Sequence, residues 1–223
     1  MKYKRLVSIG GHHLDAELMG GPLLLKYAQQ GAHCTMINVT EGRLDRAGAS
    51  EEEKQLYLEN VRRENKECAT AMGCDCFNMG YTSQTLPAQT DFVELMKDYL
   101  RREEVDLVVT HWRGTMHPRH YFTYETVTQA VLQLRKEGRD IQLLYGENCE
   151  DLIGFTPTCY VSLTNAMVDD WFKALSHYAI FNGKVNDMPY QEYYRAQLKV
   201  RSVEGGCPQP VKAYMHAPLF DNE

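Results

Sequence analysis

A chain of 223 residues, 43% hydrophobic and 24% charged, carries enough apolar material for one sizeable core. Its formal net charge of -6 and isoelectric point near 5.8 argue against phosphate-backbone binding as its main activity, since nucleic-acid binders carry a basic face. No apolar run reaches the roughly 18 to 20 residues of a membrane span, and the segment from Met1 to Arg5 leads into a short strand rather than a signal-peptide core. The expectation is therefore a cytoplasmic protein with no membrane span and no nucleic-acid partner. Seven cysteines, an odd number with no CxxC pair, point to reduced thiols, several of them in the core.

In chain order, strand-like and helix-like segments alternate. Lys4 to Ile9 is an apolar strand and Leu18 to Gln30 an amphipathic helix, with Gly20 and Gly21 allowing close approach to a neighbour. Cys34 to Val39 is a second strand. Ser50 followed by Glu53 forms a capping-box pattern that opens a long polar helix running to about Met72, where Gly73 stops it. A short strand (Cys76 to Met79), a helix (Asp91 to Arg102) and an apolar strand (Val105 to Thr110) follow, then a helix from Tyr121 to Glu137 and a strand from Ile141 to Tyr145. Beyond Gly146 the pattern weakens: Cys159 to Leu163 reads as a strand, Val168 to His177 and Tyr190 to Val203 as helices, and the Gly- and Pro-rich tail from Gly205 as an extended surface arm. Such alternation implies an α/β fold, a Rossmann-like, mostly parallel sheet with helices on both faces. One domain over 1–223 is expected, with residues from about 146 onward as a less regular C-terminal extension.

Two turns stand out. Gly10-Gly11-His12-His13-Leu14-Asp15-Ala16-Glu17 follows the first strand, and His111-Trp112-Arg113-Gly114-Thr115-Met116-His117-Pro118-Arg119-His120 follows the strand ending at Thr110. His12 and Asp15 are three apart, as are His117 and His120, a spacing that points side chains the same way at a helix entrance. If the two strands are neighbours, His12, Asp15 and His120 meet over one crevice and can hold one ion with an open position. Two imidazoles and a carboxylate suit Zn²⁺ in a catalytic arrangement, and Fe²⁺ fits the same set. Such an ion activates water and polarises a carbonyl, so an amide or ester is the natural substrate. A Rossmann-type nucleotide binder is disfavoured, because the third glycine of GxGxxG is missing.

The run Gly11-His12-His13-Leu14-Asp15-Ala16-Glu17 resembles the Ala-His-Pro-Asp-Asp-Ala-Glu signature of the PIG-L/LmbE-like zinc-dependent N-deacetylases, and His117-Pro118-Arg119-His120 resembles their His-Pro-Asp-His signature. Thr40-Glu41-Gly42 and Arg62-Arg63-Glu64 extend the likeness. The resemblance implies His12, Asp15 and His120 as metal ligands, His117 as the histidine assisting at the tetrahedral intermediate, and Arg63 as a substrate-contacting arginine. It implies a small-molecule substrate, an N-acyl amino sugar or similar polar metabolite. Three positions depart from the family: Leu14 stands where it has its general-base aspartate, Arg119 replaces the aspartate of the second signature, and His13 replaces its proline.

Leucine cannot take a proton. A relocated base is therefore sought, in the order Glu147, Glu150, Glu41 and His13, with Glu147 first because it lies nearest a strand end. The alternative is a catalytically impaired metal-bearing domain that binds a sugar or metabolite. Trp112, Tyr81 and Tyr121 are placed at the crevice mouth, where they can stack on a sugar, while Arg43, Arg113 and Arg119 can meet an anionic group. The aromatic C-terminal region is compatible with a homo-oligomer.

Overall fold

The computed structural model describes residues 2–44 and 47–218. The first strand, β1 (Arg5–Gly10), pairs in parallel with both β2 (His33–Thr40) and β4 (Leu107–Thr110). Beyond β2 lies β3 (Asp75–Tyr81), and beyond β4 lies β5 (Gln142–Gly146), all parallel. Two further strands, β6 (Cys159–Ser162) and β7 (Val211–His216), complete a seven-stranded sheet in the order β3-β2-β1-β4-β5-β7-β6. The chain winds outward from β1 in one direction and then restarts at β4 on its other side. The β1/β4 boundary is thus the topological switch point, where a crevice opens beyond the carboxyl ends of the strands.

Both faces of the sheet are covered, which explains the continuous apolar runs of β1, β2 and β4. Leu6, Met36 and Val109 contribute to one core with Met19, Leu24 and Trp171; Val7, Ile9, Ile37 and Val108 contribute to the other with Phe92, Val127 and Leu134. The helices are α1 (Asp15–Met19), α2 (Gly21–Ala28), α3 (Glu51–Ala71), α4 (Gln89–Arg102), α5 (Pro118–Lys136), α6 (Asn165–Leu175) and α7 (Tyr190–Glu204). The capping box is formed as expected: Glu53 N–H donates to Ser50 Oγ (3.2 Å), and Ser50 N–H donates to Glu53 Oε2 (2.8 Å).

The expected single helix from Leu18 to Gln30 is instead two. It breaks at Gly20, where a Cβ would lie 2.4 Å from Ser8 Oγ on β1. A larger correction concerns the tail from Gly205. It is no surface arm: Val211 to His216 forms β7, inserted between β5 and β6 and antiparallel to both, with Val211, Lys212, Ala213 and Tyr214 essentially buried. The prolines at 208 and 210 precede the strand and leave its ladder intact. Residues 219–223 of that tail lie outside the described residues. Among the described residues no helix is long and apolar enough to cross a membrane, and all seven cysteines are free.

Candidate metal centre and active-site cleft

Where β1 ends, the chain must turn at once into α1. A Cβ on Gly10 would sit 2.6 Å from the Ala16 nitrogen, so only glycine permits the approach. Leu14 caps α1 in the left-handed conformation (φ 81°), a region that costs an ordinary side chain about 1 to 2 kcal/mol. That turn swings Asp15 back over the sheet edge, where the backbone N–H of His12 donates to Asp15 Oδ2 (2.8 Å) and Asn148 Nδ2 donates to Asp15 Oδ1 (3.0 Å). From the neighbouring strand, β4 and its loop deliver His117 and His120 to the start of α5.

The two turns converge. His12 Nδ1 lies 3.1 Å from Asp15 Oδ2 and 3.1 Å from His120 Nε2, which is itself 3.2 Å from Asp15 Oδ2. His117 stands beside them, with ring centroids 4.5 Å from His12 and 4.4 Å from His120. Among the described residues two overlapping groups of metal-capable side chains result, His12-His117-His120 and Asp15-His111-His120. His111 is withdrawn from ligation because its Nε2 accepts the Gly11 N–H (2.8 Å), which leaves Nδ1 to donate to Asp151 Oδ2 (2.6 Å).

Asp151 also accepts from His120 Nδ1 through its other oxygen (2.9 Å), fixing the tautomer that turns the His120 Nε2 lone pair toward Asp15 and His12. Burial opposes ionisation of Asp15, yet the imidazole of His120 above all, with that of His12, holds its carboxyl well below the usual carboxylate range. Asp151 behaves alike, brought down to about 2 against its burial by His111 and His120. The two carboxylates in turn overcome the burial of His120 and raise it to about 10. Two imidazole lone pairs and a carboxylate oxygen within 3.2 Å of one another, in a field that attracts positive charge, fit a divalent cation. Zn²⁺ suits this donor set, and so does Fe²⁺.

The centre forms the floor of a cleft of about 820 Å³ whose walls include Arg43, Tyr57, Arg119, Glu150, Tyr178 and Tyr190. His13 lines it too; both its ring nitrogens are buried with no hydrogen-bond partner, and burial, with His12 and Arg62 nearby, pushes it down to about 4. His117 is likewise lowered to about 4, by burial and by His120 and His12, so it meets a ligand as a neutral imidazole.

Other expected site residues fall elsewhere. Glu147 follows β5 directly, but its side chain turns away from the cleft and accepts from Arg201 Nε on α7 (3.0 and 3.2 Å), and with that guanidinium satisfied it is not placed to act as the base. Arg63 projects from α3 to solvent and faces Glu67 at 3.8 Å, away from the cleft wall, because its neighbours Val61 and Glu64 occupy the inward face of the helix. Trp112 donates from Nε1 to the Ile153 carbonyl (3.0 Å) and packs on Tyr124 and Tyr145, a structural role outside the cleft. Tyr81 and Tyr121 also lie off the cleft wall, and Glu41 pairs with Arg62. Arg43 does line the cleft. Asn148, Asp151 and His111 were not singled out by sequence reasoning. For Asn148 and Asp151 the signal was the polar run after β5, Glu147 to Asp151, which has no spacing pattern of its own, and for His111 its place at the head of the second histidine turn.

The fold and this site define an α/β protein with a His/Asp cluster able to hold a metal ion at the sheet's switch point. The chain belongs to the PIG-L family: the family model described as GlcNAc-PI de-N-acetylase matches residues 7–131. No curated protein matches the sequence. Among solved structures, the 4-carboxy-2-hydroxymuconate hydratase GalB from Pseudomonas putida KT2440 is similar with a TM-score of 0.81 at 14% identity, covering 99% of this chain and 98% of that one. The N,N'-diacetylchitobiose deacetylase from Pyrococcus horikoshii has a TM-score of 0.76 at 17% identity, with 97% and 85% covered. A deacetylase of teicoplanin biosynthesis has a TM-score of 0.73 at 15% identity, with 98% and 100% covered. At these identities the likeness establishes the shared fold.

Proposed function

We propose that the protein is a divalent-metal-dependent hydrolase of the N-deacetylase type, acting on an N-acyl amino sugar or a similar polar metabolite. The observation that carries this reading is the convergence of His12 Nδ1, Asp15 Oδ2 and His120 Nε2 at the cleft floor, with His117 alongside. Family membership and the two deacetylases of like fold support it. His12, Asp15 and His120 would hold the ion, Zn²⁺ or Fe²⁺. When bound, it supplies Lewis-acid polarisation of an acyl carbonyl and lowers the pKa of water.

The chain's own residues do the rest. Asp151 keeps His120 in one tautomer, and Asn148 keeps Asp15 oriented. Neutral His117 offers an N–H to the oxygen that gains charge as the acyl carbon becomes tetrahedral, a role of the oxyanion-hole type. Arg43 is one of the cations on the cleft wall suited to a substrate oxygen, and His13 brings two unpaired ring nitrogens for polar groups. The test is acetate release from N-acetyl amino sugars by zinc-loaded protein compared with His120→Ala. Release by the parent alone supports the reading, and equal rates from both remove it.

A second reading has a specific observation in its favour. Leu14 deletes the acid of the deacetylase signature, and the cleft wall holds Arg43, Arg119 and Lys184, cations that suit an unsaturated carboxylate undergoing addition of water across its double bond. The hydratase of like fold is in keeping with that chemistry. Loss of the conjugated chromophore of such a carboxylate, without acetate release from any amide, would select it.

A further inference from the structure

Hydrolysis of an amide needs a group that takes a proton from water, and Leu14 is buried hydrocarbon where the family signature places an acid. Loop 147–151 brings a carboxylate to the site from another direction. Asn148 is tied to Asp15, and Asp151 is tied to His111 and His120, so both flanks of the loop are fastened to the metal centre. Between them the Glu150 N–H donates to Asn148 Oδ1 (3.2 Å), and its side chain turns into the cleft, with Oε2 3.6 Å from His120 Nε2. That nitrogen is the atom the His120 tautomer presents to the ion.

Elimination among the other carboxylates points the same way. Asp15 is a ligand, Glu147 is taken by Arg201, Glu41 is taken by Arg62, and Glu64 is buried in the far wall beside Lys184. The Glu150 side chain is 56% exposed, open to water in the cleft.

We propose that Glu150 is the general base of this site, replacing from the loop after β5 the acid that Leu14 lacks at the start of α1. The assignment rests on the hydrolase reading above. In the addition step an O–H bond of water breaks and its proton passes to Glu150, while the oxygen forms a bond to the acyl carbon. The carbonyl π pair moves to the carbonyl oxygen, which accepts from His117. In the collapse step that pair re-forms the carbonyl, the C–N bond breaks, and the nitrogen takes the proton back from Glu150. The products are the free acid and the free amine.

The experiment uses the full chain, zinc-loaded for kinetics on N-acetyl-D-glucosamine and N,N'-diacetylchitobiose, and cobalt-substituted for the visible spectrum. Glu150→Gln is expected to lower kcat about 10² to 10⁴-fold, the usual value of general-base assistance. Zinc affinity should stay within about threefold of the parent, with the cobalt spectrum unchanged. Adding Leu14→Asp to that variant should recover at least about tenfold, which a merely structural defect would not allow. An active parent with an equally active Glu150→Gln overturns the assignment and leaves the hydrolase reading standing. A shifted cobalt spectrum with a tenfold or larger loss of zinc affinity also overturns it, making Glu150 a ligand. A parent that binds zinc and releases no acetate from either substrate overturns both.

Discussion

Lys212 lies in the middle of β7 and is fully buried, its Nζ donating to the Glu147 carbonyl (2.9 Å) and to Gln197 Oε1 (2.9 Å) and facing the rings of Trp171 and Tyr194. Burial disfavours the ammonium, and although Glu147 works the other way, the net effect is to lower the group from 10.5 to about 8. Between these values the unfolded chain holds a proton that the folded chain has released, so stability must rise with pH across that window. Below about 8 both states are protonated and the full cost is present. At about 1.36 kcal/mol per pH unit the interval corresponds to about 3 kcal/mol, or roughly 6 to 12 °C in Tm for a domain of this size. Lys212→Met keeps the stem packed against Trp171 and Tyr194 and removes the titration. Urea unfolding followed by tryptophan fluorescence, for both proteins from pH 7 to 10.5, isolates the effect as a difference. The parent should gain about 3 kcal/mol on the variant over that range. Parallel profiles would refute the assignment of a buried, destabilised ammonium to β7.

Asp151→Asn removes the carboxylate that orients His120, so zinc affinity measured by competition with a chromophoric chelator should fall about 10- to 100-fold with the fold intact by circular dichroism. His13→Phe replaces two buried, unpartnered ring nitrogens by carbon; the variant should be more stable by about 1 to 3 kcal/mol in urea unfolding, while KM for an accepted substrate rises. A loss of stability with unchanged KM would show that His13 is held by the fold rather than kept for a ligand. Ser50→Ala deletes one half of the α3 capping box and should cost about 1 kcal/mol of unfolding free energy.

The first five strands and most of their helices were legible because each rests on a local pattern, whereas the meeting of the two histidine turns hung on the adjacency of β1 and β4, which only the sheet order supplies. Apolar runs mark strands covered on both faces, Ser50 and Glu53 mark a helix start, and residues three apart at a helix entrance share a direction. Strand β7 was hidden by composition. The Gly- and Pro-rich lead suggests an arm, and Lys212 looks like a solvent-facing residue until its carbonyl, amide and ring partners are seen. The choice between Glu147 and Glu150 was beyond the sequence for a related reason. Distance from a strand end does not say which way a loop side chain turns, and Arg201, 54 residues further on, decides it for Glu147. The His111-Asp151 bond joins residues 40 apart and leaves no periodic trace. Trp112 and Arg63 were misplaced because aromatic and basic residues near a site are as readily used for packing and for solvation of a helix face.

The central claim is that His12, Asp15 and His120 grip one divalent ion. Zinc titration of the chelator-stripped full chain by isothermal calorimetry, repeated on His12→Ala, Asp15→Ala and His120→Ala, tests it most directly. One ion per chain, with affinity reduced at least about 100-fold in each variant, is the predicted result. Binding by the parent that survives unchanged in all three variants, or no binding by the parent at all, would contradict it.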